Sequence, residues 1–349
     1  MANKNTIEEI FSFHELVKKK TESEQMKLAQ LIGIDFEEYK RCIKGKEKES
    51  EFILILKSLG RLAHFTAYDE KLSHITDEYT PEFTVELTDG YKMMIEVKHT
   101  DKEVYKISGG NLQKRIDFAD RHELPLRFAI SIRGIWGLFT TETLQAKNGK
   151  ITIQDMKGTE STSWFDSELE TCSYMFWDPI RIETIYSHNH KKGMRIYSEQ
   201  HGELISFKLY SGKKQILKVK GRESNSRLYL IVLQALQDRL SIMSDPVIRK
   251  ENGFTIITEV AKPPLWIFEY QFLLSAIEHT IIPENFGRKT YTADIVVTEE
   301  NLFYLPVQVL RYTLLELVKL GMNISIFKNN DGFELSEYAK NYWGKSKTS

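Results

Sequence analysis

The 349-residue chain has only two cysteines, Cys42 and Cys172, and eight prolines. Two cysteines cannot build a disulfide framework or a cysteine zinc site, and such usage suits a reducing compartment. Scarce proline says little about function, and no low-complexity segment or long flexible linker interrupts the chain. Neither sign of charge dominates: 48 Lys and Arg against 49 Asp and Glu leave a net charge of −1. No overall basicity therefore advertises nucleic acid, although a local basic surface stays open. No apolar run reaches membrane-spanning length, and MANKNTIEEIF lacks the apolar segment of a signal peptide, so a cytoplasmic protein without membrane contact is expected. P-loop, strand-borne GxGxxG and GxSxG motifs are all missing, which argues against an ATPase, a dehydrogenase and an α/β-hydrolase.

What is present, 41% hydrophobic and 28% charged residues, is the composition of a globular protein, long enough for two domains. Residues 6–20 and 22–43 carry apolar residues at three- and four-residue spacing and read as helices. Within the second, LAQLIGIDFEEYKRCI has the faint outline of a helix-turn-helix with Gly33 at the turn, but reads better as a helical hairpin packed on the following domain. KGKEKES (44–50) leads into a helix, EFILILKSLG, closed by Gly60. A short strand (HFTAY), a hairpin, a helix (109–123) and an apolar strand (126–134) follow, together an α/β unit. Residues 151–225 are strand-rich, and 226–349 read as a further α/β domain. The expected organisation is a helical segment at 1–43, a first α/β domain at 44–150, a connecting region at 151–225 and a C-terminal domain at 226–349.

The hairpin TPEFTVELTDGYKMMIEVKHT carries the chemistry. Phe83, Val85 and Leu87 alternate with polar residues, and so do Tyr91, Met93, Ile95 and Val97. Both apolar faces can share one core only if the loop preserves parity. A three-residue loop, Thr88-Asp89-Gly90, with Gly90 left-handed, does this. It pairs Leu87 with Tyr91 and hence Glu82 with Glu96, with Lys98 two residues beyond. Carboxylates directly opposite each other repel, and a divalent cation between their oxygens would compensate. Without such a cation the same residues would be an ordinary Glu/Lys pair on a solvated strand face.

Residues 44–131 resemble the core of the PD-(D/E)xK nuclease superfamily, found in archaeal Holliday-junction resolvases, restriction endonucleases and transposon end-cleaving endonucleases. KGKEKESEFILILKSLG resembles the first helix of the resolvases, whose glutamate joins the metal site; Glu49 matches that place best and Glu51 second. TPEF stands where the family has Pro-Asp, which makes Glu82 the first metal carboxylate, set outward by one extra C–C bond of about 1.5 Å. IEVK supplies Glu96 and Lys98, and LQKRIDFADRHELPLRFAI looks like the next helix and strand, with Gln113 at a position often glutamine. The resemblance implies a restriction-endonuclease-like α/β fold, a mixed central sheet flanked by helices. It also implies a metal-dependent endonuclease acting on DNA, in a mobile-element, restriction or antiphage setting. Mg²⁺, with Mn²⁺ as a substitute, would be held by Glu82, Glu96, the Val97 carbonyl and Glu49. Lys98 would assist the attacking water and Gln113 would orient water or backbone. The alternative is an inactive nuclease fold that binds nucleic acid within a larger complex; a homodimer or partner proteins suit either reading.

Other features are less specific. His188 and His190 have metal-compatible spacing but no nearby acid, and read better as a polar hairpin loop. KKQILKVKGR (213–222), taken as a strand, presents Lys214, Lys218 and Lys220 on one face, able to track a phosphate backbone or simply half-exposed. In 291–327, Asp294 precedes Gln308 by the same interval that separates Glu82 from Glu96. The stretch looks like a degenerate second copy of the nuclease fold, silent because Gln308-Val309-Leu310 would replace Glu-Val-Lys; the alternative is a coincidence between two small α/β units.

Overall fold

The computed structural model describes residues 7–68, 79–156, 161–189, 193–194, 197–220, 232–233, 235–237, 245–281, 305–328 and 331–334. They form two compact units, one ending at Phe165 and one beginning at Asp166. No helix among the described residues is long and apolar enough to cross a membrane.

The first unit opens with α1 (Ile7–Val17), α2 (Glu22–Ile32) and α3 (Phe36–Ser58). Thr21 and Glu24 close a capping box at the start of α2, and Gly33 ends it at φ 78°, a backbone that only glycine adopts without strain. Asp35 then caps α3 by accepting the Glu37 and Glu38 amides. The turn expected at Gly33 thus forms and divides 22–43 into two helices. The second of these runs on unbroken through 44–50, which the sequence suggested was only a lead-in. The reason is local: that stretch is rich in Lys and Glu, good helix formers, and the i,i+3 pairs Lys46–Glu49 and Lys48–Glu51 tie its turns together. Ile10, Phe13, Val17, Ala29 and Tyr39 make a small core among the three helices.

The central sheet comes next: β1 (Leu62–Ala67), β2 (Phe83–Leu87), β3 (Lys92–Thr100), then a short β4 (Val104–Lys106), α4 (Gly109–Arg121), β5 (Leu126–Ile132), β6 (Ile135–Thr140), α5 (Thr141–Ala146) and β7 (Lys150–Thr152). The strand order is β1-β2-β3-β5-β6, with β4 and β7 paired separately. Pairing is antiparallel throughout except for β3 and β5, which run parallel because α4 carries the chain between them. The result is the mixed α/β sheet expected from the hairpin, helix and strand signals.

Parity divides the sheet's side chains into two cores. Odd positions of β3 and β5 and even positions of β6 face α3, where Trp136 meets Phe52 with ring centroids 5.3 Å apart. Even positions of β3 and β5 face the side of α4 and α5, where Met94, Leu112, Phe118, Phe128, Ile130 and Phe139 pack together. Each fully buried aromatic here, such as Phe128, contributes about 1.5–3 kcal/mol by leaving water. A sheet with both faces covered leaves no solvated side for the even residues of β3.

In the second unit, a short α6 (Phe165–Glu168) at the boundary leads to β8 (Ser173–Phe176), β9 (Ile180–Ser187), β10 (Tyr197–Ser198), β11 (Gly202–Ser211) and β12 (Lys214–Lys220). After these come β13 (Val247–Glu251), β14 (Phe254–Ala261), β15 (Leu265–Phe268), α7 (Glu269–Ile281), α8 (Val307–Lys319), β16 (Ile324–Lys328) and β17 (Asp331–Glu334). Strands β10-β11-β9-β14-β13, with β12 against β11, form an antiparallel sheet, and β15-β8-β16-β17 form another. At the start of α7 the fully buried Glu269 accepts from Tyr174 (2.7 Å) and from Arg311 on α8 (2.8 and 2.9 Å). The expected second nuclease copy does not carry through. Gln308-Val309-Leu310 lie on α8, a helix whose apolar face buries Leu310, Leu314 and Leu317, not on a strand equivalent to β3; Asp294 falls outside the described residues. On β12 a register shift between Leu209 and Tyr210 of β11 separates Lys214 from Lys218 and Lys220, and Lys214 instead donates to the Leu320 carbonyl at 2.8 Å.

Candidate active site

The β2–β3 turn is the three-residue loop that parity requires. Gly90 sits at φ 85°, its amide donates to the Leu87 carbonyl at 2.9 Å, and the Leu87 amide donates to the Tyr91 carbonyl at 2.8 Å. Phe83 pairs with Ile95, and the same register sets Glu82 opposite Glu96. The surroundings differ from those of a solvated pair. Because α4 covers this face, Met94 and Glu96 are each only 1% exposed.

Inside that cover the charges are arranged tightly. The Lys98 ammonium donates to Glu82 Oε1 at 2.9 Å and lies 2.8 Å from Glu96 Oε1. The Val97 amide donates to Glu82 Oε2 at 3.1 Å, so the backbone of β3 anchors the carboxyl of its neighbour. Arg115 on α4 donates to Glu96 Oε1 at 2.7 Å, and the Tyr79 hydroxyl donates to Glu96 Oε2. The guanidinium of Arg115 lies over the Tyr79 ring at 4.4 Å, and that ring meets Phe118 edge-on at 5.7 Å.

The two carboxyls part company electrostatically. Burial first, and the charge of Glu96 second, push the proton affinity of Glu82 far above the carboxylate range. Burial pulls Glu96 the same way, but Lys98, the hydrogen bond from Glu82 and Arg115 together hold it below its usual value. Burial disfavours the Lys98 ammonium, yet Glu96 and Glu82 outweigh it and push its pKa up. Tyr105, nearby, is pushed up to about 12 by burial. Burial thus favours a proton on Glu82, while Lys98 and Arg115 favour the ionised form of Glu96.

Of the residues expected at this site, the fold brings together Glu82, Glu96, Val97 and Lys98. Glu49 pairs with Lys46 at 2.6 Å. Glu51 accepts from the Trp136 indole at 2.8 Å, on the side of the sheet that faces α3. Gln113 is exposed and donates to Asp117 one turn along at 2.7 Å; the helix presents Arg115 to the carboxyls instead. Arg115 had a signal, since it interrupts the apolar stripe Leu112, Ile116, Ala119 at helical spacing. Tyr79 had none, because no local periodicity ties it to Glu96. His188 contacts the Gln200 carbonyl at 3.3 Å, and His190 lies outside the described residues.

Among the described residues no group of three or more His, Cys, Asp and Glu side chains converges as a metal cage. Mg²⁺, however, is commonly held by one or two carboxylates, its remaining positions going to water and substrate phosphate. Glu82 and Glu96 are hard oxygen donors facing each other across one register step, and burial favours a proton on Glu82. The donor set therefore fits a hard divalent cation, which would have to displace that proton and loosen Lys98.

No protein-family model matches the sequence, and no curated protein matches it. Among solved structures, the chain is similar to a Holliday junction resolvase from the archaeal hyperthermophile Archaeoglobus fulgidus, with 18% identity and a TM-score of 0.25, over 31% of this chain and 87% of that one.

Proposed function

We propose that the first unit is a divalent-cation-dependent nuclease that hydrolyses phosphodiester bonds in DNA. The observation that carries this reading is the meeting of Glu82, Glu96 and Lys98 in one buried cluster, imposed by strand register. Two opposed carboxylates with an ammonium between them make poor structural glue. Burying them costs several kcal/mol per ion, on the order of what their attraction returns. They suit a site that exchanges a proton for a cation and then holds phosphate.

Glu82 and Glu96 would hold Mg²⁺ or Mn²⁺, with the Val97 carbonyl beside them. When bound, the cation would polarise the scissile phosphate and lower the pKa of a bound water. Lys98 keeps its proton at Nζ, so it acts as a donor: it orients the attacking water and stabilises charge on the phosphate oxygens rather than abstracting a proton. Arg115 steers the Glu96 carboxylate and adds positive charge toward phosphate. Tyr79 holds the second oxygen of Glu96 and shields it from water. One such site per chain would nick; cutting both strands would take two chains or two successive events.

The test is cleavage of supercoiled plasmid with Mg²⁺, with Mn²⁺ and with EDTA, by the native protein and by Lys98→Ala. Metal-dependent nicking that Lys98→Ala loses supports the reading; equal cleavage by both proteins refutes it. The Arg115–Glu96 pair favours a second reading, a nuclease-like core that only binds nucleic acid, because it already neutralises the carboxylate a metal needs. DNA binding without cleavage under every metal condition would favour that version.

A further inference from the structure

On one face of the six-stranded sheet in the second unit, the hairpins β11–β12 and β13–β14 border a groove of about 370 Å³. Its floor is apolar, with Ile185, Phe254 and Ile256. One wall is basic. Lys208 pairs across strands with Lys218, and Lys220 with Ser206. Like charges placed directly opposite each other destabilise a sheet. Glu183 answers Lys208 from β9, while Lys218 and Lys220 crowd one another enough to depress the Lys218 pKa. Among these lysines the Ser206 hydroxyl is 3% exposed, lines the groove and makes no hydrogen bond. A buried hydroxyl without a partner is costly. An anion in the groove would remedy both defects.

The spacing narrows down which anion. Residues two apart on a strand are about 6.7 Å apart, so the rows Lys208–Lys218 and Ser206–Lys220 offer two successive anion positions, as neighbouring phosphates of a chain require. Past Lys208 the same face continues to Tyr210, whose ring lies under Arg181 at 3.8 Å. The floor needs a flat apolar partner, and the opposite rim carries Glu251 and Asn252, able to accept from and donate to the edge of a base. Bases stacked inside a duplex cannot reach such a floor; an unpaired base can. We propose that this groove binds a single-stranded nucleic acid, with successive phosphates on Lys208, Lys218, Lys220 and Ser206 and one base on the Ile185–Phe254–Ile256 floor. The proposal rests on the reading that the protein acts on nucleic acid, and gives the second unit the task of gripping an unpaired strand.

The experiment is fluorescence anisotropy with the full chain in EDTA and a fluorescein-labelled single-stranded DNA of mixed sequence. Competitors are the unlabelled strand, its blunt duplex and a mononucleotide. Lys218→Glu/Lys220→Glu should weaken binding at least tenfold and flatten the slope of log K against log salt by about 1.4, the share of two phosphate contacts to a single strand. Lys27→Glu/Lys319→Glu, with the same change in net charge elsewhere, should bind as the native chain does, and circular dichroism should show both variants folded. Unchanged affinity in the groove variant, an equal loss in the control, or competition by duplex as effective as that by the single strand would each overturn the proposal. The nuclease reading stands or falls separately on metal-dependent nicking. A groove variant that still nicks plasmid, or a native chain that binds through these lysines and never cleaves, tells the two apart.

Discussion

The raised proton affinity of Glu82 gives the sharpest prediction. Glu82 has a raised proton affinity in the folded chain, so its contribution to stability is fully present below the unfolded carboxyl value and is lost as pH rises through its own folded value. A cation entering the site must expel that proton. Glu96 is already ionised and Lys98 keeps its proton, so one proton should leave per cation bound. Below the pKa of Glu82, cation affinity should therefore rise about tenfold per pH unit, equivalent to about 1.4 kcal/mol. Calorimetric Mg²⁺ titration between about pH 6 and about pH 8, in buffers of different ionisation heat, reads both slope and proton count. Glu82→Gln imitates the protonated carboxyl. It should leave metal-free stability within about 1 kcal/mol of native, since it can keep a neutral hydrogen bond to Glu96, and should abolish the linked proton release. Glu96→Gln should behave in the opposite way. It leaves Lys98 with Glu82 alone and strands Arg115, whose side chain is 18% exposed, and should cost about 3 kcal/mol in urea unfolding, the lower end for a broken buried pair because water reaches Arg115. A cation affinity that does not change with pH, or the same proton release from Glu82→Gln, would refute this account.

Three other outcomes follow from the same structure. Lys98→Ala should lower metal-dependent nicking by at least about 10²-fold, the usual worth of a positioned donor or acid, while circular dichroism stays native. Gly149→Ala should destabilise the first unit by more than the roughly 1–3 kcal/mol of a left-handed backbone, because the new Cβ would also lie 2.2 Å from the Ile107 carbonyl oxygen; a thermal melt like the native one would contradict this. Arg311→Ala should cost about 3 kcal/mol, the lower end for a broken buried pair because water reaches Arg311, by leaving the buried Glu269 with Tyr174 and the Cys172 amide as its donors among the described residues, to be read by chemical denaturation with Arg311→Lys recovering part of the loss.

The hairpin was the most legible element. A period of two in both strands and an Asp-Gly turn allowed only one register, and that register carried Glu82 to Glu96 and Lys98. The order of strand, hairpin, helix and strand was legible for the same reason: local periodicity reports which elements form. The continuous run of α3 through 44–50 was missed, because side-chain pairs between successive turns outweighed the appearance of a charged linker. The likeness of 291–327 to the first hairpin failed because equal spacing in a sequence does not distinguish a strand from the amphipathic helix that holds Gln308.

What the sequence determined by itself, then, was the identity and mutual approach of the two carboxylates and the lysine, since register within one hairpin is a local matter. Only the tertiary structure decided how they behave. By laying α4 over the even face of β3 it buried Glu96, brought Arg115 and Tyr79 to it in place of Gln113, and kept Glu51 on the α3 side of the sheet. Those contacts join residues far apart in the chain, and the cost of burying charge, which raises the proton affinity of Glu82, depends on what is packed around it.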